Sequence, residues 1–251
     1  MNDSGKKHSF FYFPPLIVEQ RSSTSIIILI LLRKHLNGIT MDFYFDFLSP
    51  YSYLAFQWLK KNQALLKSLD IKINFQPTIL SKLIHSYETK GPAEIESKRN
   101  YLFKDCLRYA SLNGVDFCTP KTLPFNSLYA LRLVLACPEE NKFELIDSIF
   151  TKGWGKGEEI GEEDSYLEIL RENGLPVEMM EQTTSKEIRR ELKQILTKAT
   201  NNGVFGLPTF IYQNELFWGN DSTKYLELFI ANKDPIDQNK YDNFLKDHPF
   251  N

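Results

Sequence analysis

The segment from Phe43 to Tyr53 holds the residues of this sequence that are best suited to chemistry. An aromatic run of strand type stops at Ser49-Pro50, and apolar residues then recur at helical spacing. Ser49 suits the N-cap position of that helix, and Pro50 its first turn, where a missing N–H group costs nothing. A helix N-terminus carries free amides and partial positive charge, so it would stabilise an anion such as a thiolate. Taken alone, Ser49 is better explained as a helix cap only.

A second segment, Gly203 to Tyr212, changes that interpretation. A helical pattern ends there, a glycine-rich turn follows, and the bond between Leu207 and Pro208 opens a strand-like run. The run turns at Gln213-Asn214-Glu215. This arrangement resembles the second half of a thioredoxin fold, in which the proline is cis and faces the N-terminus of the first helix. The resemblance implies that the backbone of Leu207 points into the cleft, where it would pair with an extended peptide.

Five short motifs occur in one order between Asp42 and Phe229. In that order the chain resembles the 2-hydroxychromene-2-carboxylate isomerase family and its relatives, the kappa-class glutathione transferases. The resemblance implies an α/β, thioredoxin-like fold with an all-helical insertion, as in DsbA-like proteins, in which Ser-Pro-Tyr-Ser replaces a redox Cys-x-x-Cys. The motifs are Asp46-Phe-Leu-Ser-Pro-Tyr-Ser-Tyr53, Lys90-Gly91-Pro92, Pro124-Phe-Asn-Ser-Leu-Tyr-Ala-Leu-Arg132, Gly203-Val-Phe-Gly-Leu-Pro-Thr-Phe210 and Phe217-Trp-Gly-Asn-Asp221.

The resemblance also implies a cofactor, glutathione, and assigns a catalytic role to Ser49. The Ser49 hydroxyl would donate to the glutathione sulfur and favour the thiolate, which is the nucleophilic form. Leu207, held ahead of cis Pro208, would pair with the cysteinyl unit. Asn220 and Asp221 would hold the γ-glutamyl end, although Asp221 is explained equally well as a helix N-cap. In kappa-class relatives an Arg usually follows this Asp, and this chain has Ser222 there instead.

Lys98 aligns with a lysine that reaches the glycyl carboxylate of glutathione in relatives, while a lone lysine on a charged helix is commonly just solvated. Aromatic side chains would form the walls for a second, small organic substrate. Each of these side chains is also a candidate for the hydrophobic core. They are Tyr51, Tyr53, Phe125 and Trp154.

The reaction that the resemblance implies is conversion of 2-hydroxychromene-2-carboxylate, or a related unsaturated acid, to trans-o-hydroxybenzylidenepyruvate through a transient glutathione thiolate adduct. A glutathione transferase would use the same thiolate and release a conjugate. A thiol–disulfide oxidoreductase is disfavoured because Ser49 and Ser52 stand where redox cysteines belong. A non-catalytic peptide-binding module is a further alternative. As in many relatives, a homodimer is expected.

Composition narrows the remaining classes of function. The chain has 251 residues and a formal net charge of −2, so no basic field points to nucleic acid. Its three cysteines and four histidines lack ligand spacing, which predicts no metal site and no disulfide framework. The apolar run Ile26 to Leu32 is too short to span a bilayer, so no membrane partner is expected. These features favour a reducing cytoplasm.

The same patterns divide the chain into four parts. Residues 1–40 are predicted to be an extension that is disordered or absent from the natural protein. Residues 41–78 and 195–233 are predicted to form the thioredoxin-like domain, with strands at Phe43 to Leu48 and Lys72 to Gln76. Residues 79–194 would form the helical insertion, including a capping box at Thr184-x-x-Glu187. Residues 234–251 would be a weakly patterned tail.

Overall fold

The structure, a computed structural model, describes residues 39–246, which belong to one compact unit. Its strands are β1 (Ile39–Phe45), β2 (Ile71–Pro77), β3 (Thr209–Tyr212) and β4 (Glu215–Trp218). Its α-helices are α1 (Pro50–Ser68), α2 (Leu80–His85), α3 (Glu96–Asn113), α4 (Leu128–Ala136), α5 (Lys142–Phe150), α6 (Glu163–Glu172), α7 (Met179–Gln182), α8 (Lys186–Asn201), α9 (Thr223–Ile230) and α10 (Gln238–Lys246).

The four strands form one sheet in the order β2-β1-β3-β4. β1 and β2 run parallel, β3 runs antiparallel to β1, and β4 runs antiparallel to β3. The carboxyl ends of β1, β2 and β4 therefore meet the start of β3 at one edge of the sheet, which we call the site edge. At this edge Tyr44 pairs with Thr209, and Thr209 pairs with Trp218.

Successive side chains of β1 point to opposite faces of the sheet, and each face contributes to a separate hydrophobic cluster. The larger cluster lies on the face covered by α1 and is rich in phenylalanine, with Phe43 stacked on Phe45 and Phe210 at ring-centroid distances of 5.1 and 4.7 Å. The smaller cluster includes Tyr44 and Leu207 on the opposite face. Because both faces are covered at its carboxyl end, β1 is continuously apolar and buried from Phe43 to Phe45, as expected for a central strand.

Helices α2 to α8 all lie between β2 and β3 in the chain, so the predicted fold, a thioredoxin-like sheet with a helical insertion, is confirmed. Helix α3 ends at Gly114, which adopts the left-handed conformation with φ of 64°. Helix α5 continues into a π-helical turn at Thr151–Gly155, which the sequence pattern did not reveal. A second cis peptide bond, besides the one at the start of β3, joins Leu123 and Pro124.

The predicted cap of α8 is wrong by one residue. The N-cap is Ser185, whose Oγ accepts from the amide of Ile188 at 3.2 Å. The Thr184 hydroxyl instead donates to the carbonyl of Glu181 at 2.8 Å. Thr184 therefore closes the preceding turn, and the apparent Thr-x-x-Glu box does not operate as a capping box.

Several predicted boundaries also shift. β1 begins at Ile39, which pairs with Ile71, and it ends at Phe45, so the predicted strand from Phe43 to Leu48 started late and ran too far. Part of the predicted tail forms helix α10, Gln238–Lys246. The predicted extension covers residues 1–40, of which residues 1–38 lie outside the described residues, whereas Ile39 and Thr40 belong to β1. Among residues 39–246, no helix is long and apolar enough to cross a membrane.

Candidate functional site

Ser49 is the N-cap of α1, as predicted, and the direction of its hydrogen bond matters for chemistry. Its Oγ accepts from the amide of Ser52 at 3.1 Å, and Pro50 occupies the first turn. Because the oxygen is the acceptor in that bond, the hydroxyl proton stays available for another partner. Only 4 % of the Ser49 surface is exposed, so water contributes little screening there. The first turn of α1 thus combines free amides with an oriented hydroxyl donor.

The bond between Leu207 and Pro208 is cis, which confirms that prediction. Pro208 directly precedes Thr209, the partner of Tyr44, so it lies at the same edge of the sheet as the junction between β1 and α1. The carbonyl of Pro208 accepts from the amide of Gly219 at 2.9 Å, which ties this turn to the end of β4. The amide and carbonyl of Leu207 have no hydrogen-bond partner within residues 39–246. They remain available to an extended ligand.

Asn220 and Asp221 form a single 3₁₀ turn between β4 and α9. Asn220 is buried, and it lines the same cavity as Tyr109 of α3, so the insertion lies beside the turn. Asp221 is exposed, and within residues 39–246 its carboxylate has no hydrogen bond or ion pair. The N-cap of α9 is Ser222, so the alternative interpretation of Asp221 as the cap of α9 is wrong. An exposed, unpaired carboxylate suits a ligand ammonium group.

Lys98 and Tyr51 lie on the walls of one cavity of about 330 Å³. Lys98 is exposed and has no carboxylate partner in the described part of the chain. The Tyr51 hydroxyl donates to Oδ2 of Asp105 at 3.0 Å. Burial raises the pKa of Tyr51, and the nearby Cys106 and Asp105 raise it further, so the phenol stays neutral at physiological pH.

Trp154 does not line a cleft, contrary to the prediction. Its side chain has 0 % exposed surface, and its indole Nε1 donates to the carbonyl of Phe47 at 2.8 Å. Tyr53 and Phe125 are also buried, and the Tyr53 hydroxyl donates to the carbonyl of Asp116 at 2.7 Å. These three aromatic residues belong to the core, because the insertion packs over them. Tyr51 alone of the four candidates stays partly exposed.

Asp46 is a positioning residue that sequence reasoning did not single out, although it begins the first motif. Its two carboxylate oxygens accept from the amides of Leu48 and Leu80 at 3.0 and 2.9 Å. One buried carboxylate therefore joins the end of β1 to the start of α2. Burial raises the pKa of Asp46, against the opposing effect of hydrogen bonds from those amides and from Ser127. Asp46 can bind the amide of Leu80 because β2, which precedes Leu80, pairs with β1. No local sequence pattern predicts that contact.

The site edge carries Ser49, the Leu207–Pro208 turn and the Asn220–Asp221 turn at the ends of neighbouring strands. Two cavities separate the predicted residues, because Tyr51 and Lys98 line one and Asn220 and Asp221 line the other. Within residues 39–246, the Leu207 amide and carbonyl and the Asp221 carboxylate have no partner, and the Ser49 hydroxyl keeps its proton, so each of these groups can pair with a polar or charged atom of a ligand. Among residues 39–246, no group of three or more His, Cys, Asp or Glu side chains is arranged to hold a metal ion.

Comparison with known proteins agrees with this geometry. The sequence profile of the DsbA-like thioredoxin domain matches residues 40–231. The 2-hydroxychromene-2-carboxylate isomerase of Pseudomonas putida is 28 % identical over 205 residues, covering 75 % of this chain and 93 % of the relative. Glutathione S-transferase kappa 1 of Homo sapiens is 25 % identical over 213 residues, covering 77 % and 92 %.

Solved structures give the same picture of the fold. A 2-hydroxychromene-2-carboxylate isomerase superposes with a TM-score of 0.70 and 26 % identity, over 77 % of this chain and 95 % of that one. The cytosolic disulfide reductase DsbM of Pseudomonas aeruginosa, at 19 % identity and a TM-score of 0.56, covers 77 % and 99 % and shares the fold alone. The profile match covers most of the chain, and it coincides with the sheet and insertion described above. The chain therefore belongs to the DsbA-like thioredoxin family.

Proposed function

We propose that this protein is a glutathione-dependent isomerase of unsaturated aromatic acids. The reaction is of the 2-hydroxychromene-2-carboxylate isomerase type, with trans-o-hydroxybenzylidenepyruvate or a related acid as product. The observation that carries the proposal is the hydrogen bond from the Ser52 amide to Ser49 Oγ, which leaves the Ser49 proton for a sulfur anion. The family and the two groups of relatives, which are named as isomerases and as glutathione transferases, support this choice.

The residues present fit glutathione at each end. Ser49 would donate to the sulfur, and the amide and carbonyl of Leu207 would pair with the cysteinyl unit beside Pro208. Asn220 and Asp221 would bind the γ-glutamyl end, and Lys98 the glycyl carboxylate. The unpaired state of Leu207 and Asp221 within the described chain agrees with this assignment.

Glutathione, when bound, would supply the thiolate nucleophile that adds to the unsaturated acid and leaves again. The protein's own contribution is electrostatic. The hydroxyl of Ser49 and the N-terminus of α1 stabilise negative charge at one point, and burial of Ser49 excludes most of the water that would weaken this effect. The Asp46 bonds to Leu48 and Leu80 hold the loop that carries Ser49.

The first prediction concerns the Ser49→Ala variant. A hydrogen bond to a charged group is worth about 1.5–3 kcal/mol, so loss of the hydroxyl should raise the pKa of bound glutathione thiol by about 1 to 2 units. Thiolate absorbance of the complex, followed as a function of pH, measures this change. An unchanged thiol pKa in Ser49→Ala would remove the role assigned to this hydroxyl.

Ser185→Ala is the matched control for this experiment. Ser185 is also an N-cap serine that accepts an amide hydrogen bond, but it begins α8, outside the proposed site. Its loss should lower stability to a similar degree and leave the thiol pKa of bound glutathione unchanged.

Transferase activity is the second candidate, because relatives named glutathione S-transferase kappa 1 match at similar identity. The two activities differ in the fate of glutathione. An isomerase turns over a benzylidenepyruvate substrate only when glutathione is present and regenerates the free thiol, whereas a transferase consumes the thiol. Assay of free thiol during turnover distinguishes them. The expected homodimer stays a prediction.

A further inference from the structure

The cavity that contains Tyr51 is larger and less polar than a glycyl carboxylate requires. It has a volume of about 330 Å³, at the small end of the range for pockets that bind organic ligands. In the described part of the chain, Lys98 is the one charged residue that lines it. The lining residues are Tyr51, Pro92, Ser97, Lys98, Tyr101 and Leu102.

One face of α3 builds the outer wall of this cavity. Lys98, Tyr101, Leu102 and Asp105 recur at spacings of three and four residues, so they project from the same side of the helix. Asp105 accepts from the Tyr51 hydroxyl at 3.0 Å and thereby fixes the orientation of the Tyr51 ring. Leu102 is buried, whereas Tyr101 keeps 61 % of its surface exposed. The cavity thus has one anchored ring and one open ring.

The position of the cavity connects it with the proposed reaction. Tyr51 lies in the first turn of α1, two residues after Ser49. Building on the proposed function, we propose that the cavity binds the planar aromatic part of the electrophilic substrate, with Tyr51 and Tyr101 as its ring contacts. Lys98 stays at the rim, where it binds the glycyl carboxylate of glutathione. Tyr51 thus keeps the substrate contact that the sequence predicts, and Tyr101 replaces Trp154 as its aromatic partner.

A second exposed aromatic pair provides the alternative location. Phe205 and Trp218 lie beside the Leu207–Pro208 turn, with ring centroids 4.9 Å apart in an edge-to-face arrangement. Trp218 is 52 % exposed and lies over Gly206, where any added Cβ would meet its indole. This pair is on the opposite face of the sheet from α1, because Trp218 pairs with Thr209 and shares a face with Tyr44.

Binding of S-benzylglutathione and S-methylglutathione tests the proposal by isothermal titration calorimetry. The wild-type protein should bind the benzyl conjugate about tenfold more tightly, since aromatic contacts and ring burial together are worth at least that factor. In Tyr101→Ala the preference should fall to about twofold or less, while the Kd for the methyl conjugate stays unchanged. Tyr101→Phe should restore the preference, because it keeps the ring.

Trp218→Ala is the matched control, since it also removes an exposed aromatic side chain. It should leave the benzyl preference intact. Loss of the benzyl preference in Trp218→Ala, or its retention in Tyr101→Ala, would overturn the proposal. Neither result would count against glutathione binding itself. Equal affinity of the wild-type protein for both conjugates would also overturn it. Failure of the wild-type protein to bind glutathione or either conjugate would instead refute the proposed function, and this inference with it.

Discussion

At the scale of single residues, the chemistry of the site edge depends on which groups keep a free proton or a free charge. The Ser49 oxygen accepts a hydrogen bond from the first turn of α1, so its hydroxyl proton stays available. The Tyr51 hydroxyl instead donates its proton to a hydrogen bond with Asp105. The thiol groups of the chain divide in a similar way. Cys106 and Cys137 are buried, and Cys118 is exposed. Reactivity should follow this division, because only the thiolate is an effective nucleophile.

We predict that iodoacetamide at pH 8 modifies Cys118 alone in the native protein. Burial raises the pKa of Cys106 to about 12 and that of Cys137 to about 11. At pH 8 the thiolate fraction of Cys106 is then on the order of one in ten thousand. Peptide mass mapping after native alkylation measures the modified sites. Rapid alkylation of Cys106 without unfolding would contradict the burial described here.

At the scale of secondary-structure elements, the start of α8 offers a direct test of the corrected cap. Ser185→Ala should lower the free energy of unfolding by about 1 kcal/mol, because the amide of Ile188 loses its acceptor. Urea denaturation with an unchanged slope measures this loss. Thr184→Ala should change stability by less than about 0.5 kcal/mol, since its exposed hydroxyl only closes the preceding turn. The reverse order of effects would restore the capping box.

These elements also show which features were predictable. Ser49 with Pro50, and the Gly114 terminus, follow from local backbone preferences that a short segment determines by itself. The start of β1 at Ile39 and the π-helical turn after α5 were missed, because they depend on pairing and packing with distant segments. At the start of α8 the choice is local, because Thr184 hydrogen-bonds to Glu181 and Ser185, one residue later, accepts from the amide of Ile188.

In the candidate site, too, some residues were predictable from the sequence and others were not. The positions of Ser49, Leu207 and Pro208 were available from motifs that the fold places at one edge. The burial of Trp154 was not predictable from the sequence, since the packing of the insertion decides whether an aromatic side chain lines a cleft or fills the core. The spacing of Lys98 and Tyr101 was visible in the sequence, but its meaning required the contact between α1 and α3 that Tyr51 and Asp105 make.

At the scale of the whole molecule, the chain shares its fold with a protein named as a disulfide reductase, and the sequence predicts that Ser49 and Ser52 stand where redox cysteines would belong. Ser49 and Ser52 lie three residues apart in the first turn of α1, where Cα atoms are roughly 5 Å apart, within the range of a disulfide. Ser52 is fully buried, and its Oγ has no hydrogen-bond partner among residues 39–246. A thiol at that position would lose no hydrogen bond.

We therefore predict that the double variant Ser49→Cys, Ser52→Cys forms a disulfide and gains the ability to reduce insulin with dithiothreitol, and we expect no such activity from the wild-type protein. The wild-type protein has three free thiols, and the oxidised double variant should show the same number under denaturing conditions. Ser49→Cys alone should show one additional thiol, because it has no partner within the first turn. Two additional thiols in the oxidised double variant would mean that the turn cannot close a disulfide. A lack of insulin reduction by the wild-type protein would then reflect the backbone of α1 as well as the presence of Ser49 and Ser52 in place of cysteines.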